Sequence, residues 1–318
     1  MKVKLFTHTD LDGVGCQVIA NHFFGASNVS TTYCDYKEVD AKISQFFSSG
    51  EYKKFNRIFI TDISVNEETA ILINDISVQW YDVIRLIDHH KTAFWLNKYK
   101  WAEVTSEYHD GTKTSGTDLL LGHLINTFPE LDSTLESQLI SFAEQVRRWD
   151  TWDWYNIHKD EFPKQLNNLM YLIGRVKFAK RFSANADTKF NEGESLVLSI
   201  EDAKIESYIK KVSKTIVEKK IAGYKAGVVF AESYSSELGN KLAEMNLHLD
   251  FIAIVNPLNG SVSYRSIRDD LDLGKDVAAL YGGGGHPKAS GSGFDKRLNI
   301  KYINSIFDKP WYKRIFKR

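Results

Sequence analysis

Short apolar runs alternate with amphipathic patterns along the first part of the chain. Alternation of this kind predicts βαβ units and a mostly parallel sheet. The predicted strands cover residues 3–7, 29–34, 57–61 and 83–87, and the predicted helices cover residues 12–24, 39–47 and 66–73. From residue 114 to about residue 182 the pattern becomes mostly helical, which places a group of helices after the sheet.

A polar segment at residues 183–194 is followed by a second pattern of strands and helices. Apolar residues recur at helical spacing from Ile205 to Ile216, which predicts one long helix over residues 194–219. Strands are predicted at residues 227–230, 251–255 and 261–265, with a helix at 236–245, so a second α/β lobe should start near residue 221. The expected organisation is a domain at 1–185, a helical linker at 186–220 and a smaller domain at 221–318.

Composition narrows the class of protein. The chain has 318 residues, 43% of them hydrophobic, which suits about two globular domains. Its 41 Lys and Arg balance 41 Asp and Glu, which argues against tracking of long nucleic acid through the overall electrostatic field. Two cysteines cannot build a disulfide framework, and no apolar run approaches the ~20 residues that span a bilayer. We therefore expect a cytoplasmic protein without a membrane anchor.

The first candidate site follows the first predicted strand, in the segment His8-Thr9-Asp10-Leu11-Asp12-Gly13. Side chains two positions apart point the same way in extended chain, so His8, Asp10 and Asp12 should converge. One imidazole with two carboxylates suits a divalent metal such as Mn²⁺. The alternative is a polar turn in which Asp12 caps the following helix.

Acidic residues and histidines also directly follow two further predicted strands. Asp62 follows residues 58–60, and Asp88-His89-His90 follows residues 83–87. Open α/β sheets place their ligand sites at the carboxyl ends of strands, so this joint placement indicates one site. Such a cluster can hold two metals about 3.5–4 Å apart, which activate a water and clamp a phosphoryl group.

A Trp-rich segment, Arg147 to Trp154, follows a predicted helix at residues 133–146. Either Asp150 or Asp153 can supply a further metal ligand, and the neighbouring aromatic rings can stack a nucleobase. The alternative is an amphipathic helix end with core tryptophans.

A glycine run, Gly282-Gly283-Gly284-Gly285, precedes His286 and Lys288. Consecutive glycines expose backbone N–H groups and allow positive φ, which favours an anion-binding nest over a simple flexible turn. Arg265 ends a predicted strand upstream, and its planar guanidinium can bind a phosphate in two places.

Together these motifs resemble the DHH phosphoesterase family. The resemblance is carried by His8-x-Asp10-x-Asp12-Gly13, Asp62, Asp88-His89-His90 and a later Asp. Residues 263–268 and the segment from Gly282 to Gly291 resemble the family's DHHA1 partner domain. The resemblance covers nearly the whole chain and implies an α/β fold, with an N-terminal parallel-sheet DHH domain and a smaller α/β DHHA1 domain joined by a helical linker.

The resemblance also implies roles for individual residues at a two-Mn²⁺ site between the lobes, with Mg²⁺ or Co²⁺ as substitutes. One ion would be held by His8, Asp10 and Asp62, and the other by Asp12, Asp62, His89 and Asp150. The choice of Asp150 rests on the likeness of Trp-Asp-Thr-Trp to the oligoribonuclease branch, with Asp153 left open. His90 would contact the scissile phosphate, and Asp88 would orient a neighbouring imidazole. The phosphates and the end nucleotide of the substrate would be bound by Arg265, His286, Gly283, Gly284 and Gly285.

Among family branches, the two-domain form without added modules resembles the nanoRNases. The implied function is Mn²⁺-dependent hydrolysis of short oligonucleotides from an end. Two alternatives within the fold are a phosphomonoesterase on adenosine 3′,5′-bisphosphate and a phosphodiesterase on linear dinucleotides. A non-enzymatic nucleotide-binding module is a third alternative, although a binder has no need of two metals. The expected partners are short oligonucleotides or nucleotide phosphates, and a homodimer is compatible with the sequence.

Overall fold

The computed structural model describes residues 1–80, 82–295 and 297–307. The end of the predicted 221–318 domain, residues 308–318, therefore lies outside the described residues. The chain forms two compact units that meet in sequence at Leu198 and Ser199. This boundary falls inside the predicted linker, and the second unit begins earlier than the expected position near residue 221.

The first unit is a parallel sheet with helices on both faces. Its strands are β1 (Val3–Thr7), β2 (Val29–Tyr33), β3 (Arg57–Thr61), β4 (Ile84–Asp88) and β5 (Ala102–Val104). Its helices are α1 (Leu11–Phe24), α2 (Val39–Ser48), α3 (Glu67–Ser77), α4 (Gly116–Thr127), α5 (Ser133–Asp150), α6 (Phe162–Ile173) and α7 (Arg175–Ala184). The prediction of βαβ units is confirmed, while the short strand β5 was not predicted.

Strand order decides where a site can form. The order is β2-β1-β3-β4-β5, and all four pairings are parallel. The chain therefore moves outward from β1 in both directions, and the crevice at the carboxyl ends of β1 and β3 is the topological switch point. Two separate hydrophobic cores, one built mainly on α1 and α4–α7 and the other on α2 and α3, cover the two faces.

The second unit contains a mixed sheet. Helix α8 (Glu192–Val212) crosses the boundary between the units, and it is followed by β6 (Val217–Ile221), β7 (Tyr224–Phe230), α9 (Ser235–Met245), β8 (Phe251–Asn256), β9 (Ser261–Arg265), β10 (Gly284–Gly285), β11 (Ala289–Gly293) and α10 (Arg297–Phe307). The strand order is β10-β11-β9-β8-β7-β6, with only β7 and β8 parallel. Among the described residues, no helix is both long enough and apolar enough to cross a membrane.

The helix predicted over residues 194–219 is wrong in its last part. Helix α8 ends at Val212, and residues 217–221 form strand β6. The cause is a tight turn: Ala222 and Gly223 have φ of 51° and 91°, which pairs Ile221 with Tyr224 and directs β6 back along β7. Tyr208, Ile209 and Ile216 of the predicted stripe pack on the core of the second unit, which explains why the boundary precedes them.

Candidate active site

The predicted polar residues converge at the switch point of the first sheet. His8, Asp10 and Asp12 follow β1, Asp62 follows β3, and Asp88 is the last residue of β4. Extended geometry holds only as far as Asp10, the N-cap of α1, because Asp12 already lies in the first helical turn. The expectation that all three side chains align along extended chain is wrong in that detail, and Asp10, not Asp12, caps α1.

The first set of potential ligands is His8, Asp10 and Asp62, whose ligand atoms all lie within 4.8 Å of one another. The His8 Nδ1 atom lies 2.7 Å from Asp10 Oδ2 and 3.9 Å from Asp62 Oδ2. Asp10 also accepts a hydrogen bond from the Gly13 N–H at 3.1 Å. Burial raises the pKa of Asp10, but the hydrogen bond and charge of His8, together with the hydrogen bonds to Gly13 and Asp62, leave this pKa below its usual value.

The second set is Asp12, His89 and Asp150, again with ligand atoms within 4.8 Å. The His89 Nε2 atom lies 3.8 Å from Asp12, 3.6 Å from Asp150 and 3.2 Å from Asp62. Burial lowers the pKa of His89, which favours the neutral imidazole that a metal requires. Thus Asp62 and His89 connect the two sets.

Asp12 is held by the start of a distant helix. Its Oδ2 and Oδ1 atoms accept hydrogen bonds from the N–H groups of Gly116 at 2.5 Å and Thr117 at 2.8 Å. These are the first residues of α4, where N–H groups have no helical partner and the helix dipole favours a negative charge. The carboxylate is therefore fixed in orientation while its remaining lone pairs stay available.

The environment of Asp62 favours a positive charge next to its carboxylate. It is 1% exposed, its φ is 55°, and its buried Oδ2 atom has no hydrogen-bond partner among the described residues. Burial, followed by the charges of Asp12, Asp10 and Asp150, raises the pKa of Asp62 well above its usual value. A positive charge between the two sets would satisfy this oxygen and offset the repulsion, so the donors fit divalent metal ions.

A hydrogen-bonded chain leads away from the carboxylate cluster. Ser64 donates to Asp88 Oδ2, and His90 Nδ1 lies 2.8 Å from Asp88 Oδ1. At the other side of the ring, His90 Nε2 lies 3.2 Å from the hydroxyl of Tyr36. Burial lowers the pKa of His90, whereas the hydrogen bond and the charge of Asp88 raise it. The pKa of His90 is above its usual value as a result.

Tyr36 was missed by the sequence analysis. It lies in the loop after β2, outside every motif, and its ring centroid is 5.0 Å from that of His8. The available signal was its position close after a strand that neighbours β1, at the same edge of the sheet as the acidic residues.

Asp150 and Asp153 have different environments. Asp150 ends α5 within the second ligand set, and burial followed by the charge of Asp12 raises its pKa. Asp153 instead lies 2.8 Å from Nη1 of Arg147 in a buried ion pair and is in none of the sets formed by described residues. Of the nearby rings, Trp154 is buried, while Trp152 is exposed and has φ of 63°.

The second unit holds the other predicted residues. Arg265, at the end of β9, donates from Nη1 to the Tyr264 carbonyl at 2.8 Å and from Nη2 to Ser236 Oγ at 3.0 Å. Burial lowers the pKa of this guanidinium. The hydroxyl of Ser236 and the carbonyl of Tyr264 thus hold a half-buried cation at the end of an inner strand of the mixed sheet.

The glycine run is more ordered than a flexible turn. Positive φ occurs at Gly282 and Gly285, at 70° and 137°, and Gly284 and Gly285 pair with residues 290–291 of β11. A Cβ on Gly283 would lie 2.0 Å from the Gly291 carbonyl oxygen, so glycine is required there. His286 is exposed beside this hairpin, and Lys288 lies 2.8 Å from Asp269.

An oligoribonuclease is similar to this chain over nearly its whole length. No family model matches the chain. The chain is 40% identical over 309 residues to oligoribonuclease NrnB of Bacillus subtilis (strain 168), a match that covers 95% of this chain and 75% of the relative.

Solved structures support the fold. One is exonuclease RecJ bound to manganese, with a TM-score of 0.56 at 12% identity over 96% of this chain and 89% of that one. Another is the pGpG-specific phosphodiesterase PggH from Vibrio cholerae, with a TM-score of 0.53 at 14% identity over 97% of this chain and 100% of that one. The chain belongs to the DHH phosphoesterase family, as a nanoRNase-like member.

Proposed function

We propose that this protein is a Mn²⁺-dependent phosphodiesterase that removes nucleotides from short oligonucleotides. The observation that carries the proposal is that two ligand sets meet at Asp62, whose buried oxygen has no hydrogen-bond partner in the part of the chain that the structure describes. The 40% identity to an oligoribonuclease supports short RNA as the substrate class.

In this proposal His8, Asp10 and Asp62 hold one ion, and Asp12, Asp62, His89 and Asp150 hold the other. When bound, such a pair supplies an activated water and neutralises charge on the phosphate oxygens. A set of carboxylates with two imidazoles suits Mn²⁺ and accommodates Mg²⁺ or Co²⁺. Asp153 is excluded from the ligands of the proposal because its charge is already paired with Arg147.

The remaining residues of the first unit orient groups around the ligands. Asp88 fixes the His90 ring through Nδ1, so that Nε2 faces the cavity and can contact the scissile phosphate. Gly116 and Thr117 hold Asp12 through backbone N–H groups, which prevents its rotation out of the site. A fixed donor placed at a phosphate oxygen stabilises the charge that develops there.

In the second unit, Arg265, His286 and the glycines at 283–285 are proposed to bind the phosphates and the end nucleotide of the substrate. The polar environment of Arg265 and the positive φ of Gly282 and Gly285, which is typical of anion-binding backbone, support this assignment. An arginine is suited to the role because its planar group can form two parallel hydrogen bonds to one phosphate.

The test is a metal-replete hydrolysis assay. Purified protein is incubated with RNA of two to five nucleotides, with a long RNA, and with adenosine 3′,5′-bisphosphate, each with Mn²⁺ or with EDTA. We expect Mn²⁺-dependent release of mononucleotides from the short RNA alone. Turnover of only the bisphosphate would favour the phosphomonoesterase, and binding of nucleotides without any turnover would contradict the proposed activity.

A further inference from the structure

Tyr36 has an unusual combination of exposure and fixation. Its side chain is 59% exposed, yet its hydroxyl lies 3.2 Å from His90 Nε2 and its ring lies against that of His8. The loop that carries it is ordered by Asp35, whose Oδ1 accepts hydrogen bonds from the N–H groups of Lys37 and Glu38. A surface aromatic held with its polar end inside a site is positioned to meet a ligand.

The cavity beside His90 has few donors for an anion. Its volume is about 230 Å³ and it is lined by Tyr36, Ser64, Asp88, His90 and Thr92. The hydroxyl of Ser64 is committed to Asp88, and Asp88 is committed to His90. The hydroxyls of Tyr36 and Thr92 therefore remain beside His90 as lining groups that can donate a hydrogen bond.

The geometry of His90 narrows the choice to Tyr36. Because a carboxylate only accepts hydrogen bonds, Nδ1 of His90 carries the hydrogen that faces Asp88, and Nε2 is the ring nitrogen beside the Tyr36 hydroxyl. A phosphate oxygen that approaches Nε2 from the side of the Tyr36 hydroxyl comes within hydrogen-bond range of that hydroxyl. A tyrosine hydroxyl, with an ordinary pKa of about 10, carries its hydrogen at neutral pH and can donate it.

We propose that Tyr36 is a substrate-contacting residue of this site, whose hydroxyl rests on His90 in the free protein and donates a hydrogen bond to a non-bridging oxygen of the bound phosphodiester. Tyr36 makes and breaks no covalent bond in this step, because only the direction of its O–H changes. The inference rests on the proposed function, since it takes His90 as the group that faces the phosphate.

The first experiment compares Tyr36→Phe with wild type on the diribonucleotide ApA in Mn²⁺. Loss of a hydrogen bond to a charged group lowers affinity by about 10- to 100-fold, so we expect kcat/KM to fall by that factor. Metal content should not change. Tyr99→Phe is the matched control, because the Tyr99 ring stacks on Trp101 and its hydroxyl should not affect turnover.

A second experiment separates direct contact from an effect through His90. Tyr36→Phe is repeated in a His90→Ala background, as a double-mutant cycle. If the hydroxyl contacts the phosphate, it should still contribute a several-fold loss in that background. If Tyr36→Phe has no effect once His90 is absent, Tyr36 only positions His90 and the inference is wrong.

Calorimetric binding of AMP to the Mn²⁺-loaded protein distinguishes this inference from the proposed function. We expect Tyr36→Phe to weaken AMP binding by about 10-fold or more, because AMP presents the same phosphate oxygens. If wild type cleaves no RNA but Tyr36→Phe still weakens AMP binding, the proposed function fails and the contact stands. Equal AMP affinity of the two proteins, or no AMP binding by wild type, would overturn the contact.

Discussion

Replacing Asp62 with Asn should have opposite effects on stability with and without metal. The Asp62 carboxylate is buried among other carboxylates, and one of its oxygens has no hydrogen-bond partner among residues 1–80, 82–295 and 297–307. In the metal-free protein its charge opposes folding. An Asn amide of the same shape removes the charge and can donate a hydrogen bond toward Asp10 or His89.

The size of the gain follows from the distances. Ligand atoms of Asp62 and Asp10 lie within 4.8 Å, and two unit charges at that separation repel by about 3 kcal/mol at an effective dielectric constant of about 20. Partial protonation of Asp62 relieves some of this repulsion, so we expect Asp62→Asn to stabilise the metal-free protein by about 1 to 3 kcal/mol.

The pH dependence has a definite sign. The pKa of Asp62 in the folded protein is raised above its value of about 3.9 in unfolded chain. Below the pKa that Asp62 has in the unfolded chain, its carboxyl group does not oppose folding. The free energy of unfolding then decreases as the pH rises through the pKa of Asp62 in the folded protein. The advantage of Asp62→Asn should be largest at about pH 8 and should shrink toward about pH 4.

The assay is chemical denaturation in EDTA and then in excess Mn²⁺. At about one thousand times the dissociation constant, bound metal stabilises wild type by about 4 kcal/mol, whereas the variant has lost a shared ligand and should gain little. The order of stabilities should therefore reverse between the two conditions.

The control is Asp153→Asn, which breaks the buried pair with Arg147. It should lose about 1 to 3 kcal/mol in both conditions, because Arg147 keeps its ion pair with Glu144, and it should keep the gain from Mn²⁺. The reasoning is refuted if Asp62→Asn is less stable than wild type in EDTA at about pH 8. An undiminished gain from Mn²⁺ in that variant would equally contradict the shared-ligand role of Asp62.

Three further predictions concern ligands, packing and the second unit. Asp150→Asn should abolish turnover of diribonucleotide and lower metal content, whereas Asp153→Asn, measured the same way, should retain metal; the reverse result would exchange their roles. Gly116→Ala should displace Asp62, because its new Cβ would lie 2.5 Å from the Asp62 Cβ. Metal titration should then show weaker binding, and denaturation should show a free energy of unfolding lower by about 1 to 3 kcal/mol. Arg265→Ala should retain metal but lower kcat/KM for diribonucleotide by about 100-fold, and Arg265→Lys should not restore it. The kcat/KM for a small chromogenic phosphodiester should fall much less, and equal losses on both substrates would contradict this role.

The elements of the fold were largely predictable because their signals are local. The predicted bounds of β1, β3 and β9 are those of the structure, since each is an apolar or alternating run that ends in polar residues. The same locality explains the error at residues 217–221. A charged edge strand and the end of a polar helix have similar patterns, and only the turn at Ala222 and Gly223 and the pairing with β7 distinguish them.

The gathering of acidic residues and imidazoles at one edge of the sheet was also predictable from the sequence. Parallel strands end at a common edge, so Asp and His placed directly after β1, β3 and β4 must come together. That argument needs only the order of residues along each strand, which the sequence contains.

Other features of the site depend on contacts between distant parts of the chain. Asp12 is fixed by N–H groups 104 and 105 positions away, and Tyr36 meets His90 across 54 positions. Asp150 and Asp153 lie in the same short segment, and their sequence neighbours do not distinguish them. In the structure Asp150 lies beside His89, whereas Asp153 pairs with Arg147. Hydrophobic periodicity reports how a residue is placed relative to its neighbours in sequence, whereas these partners are chosen by how whole elements pack, and only the tertiary structure determines that.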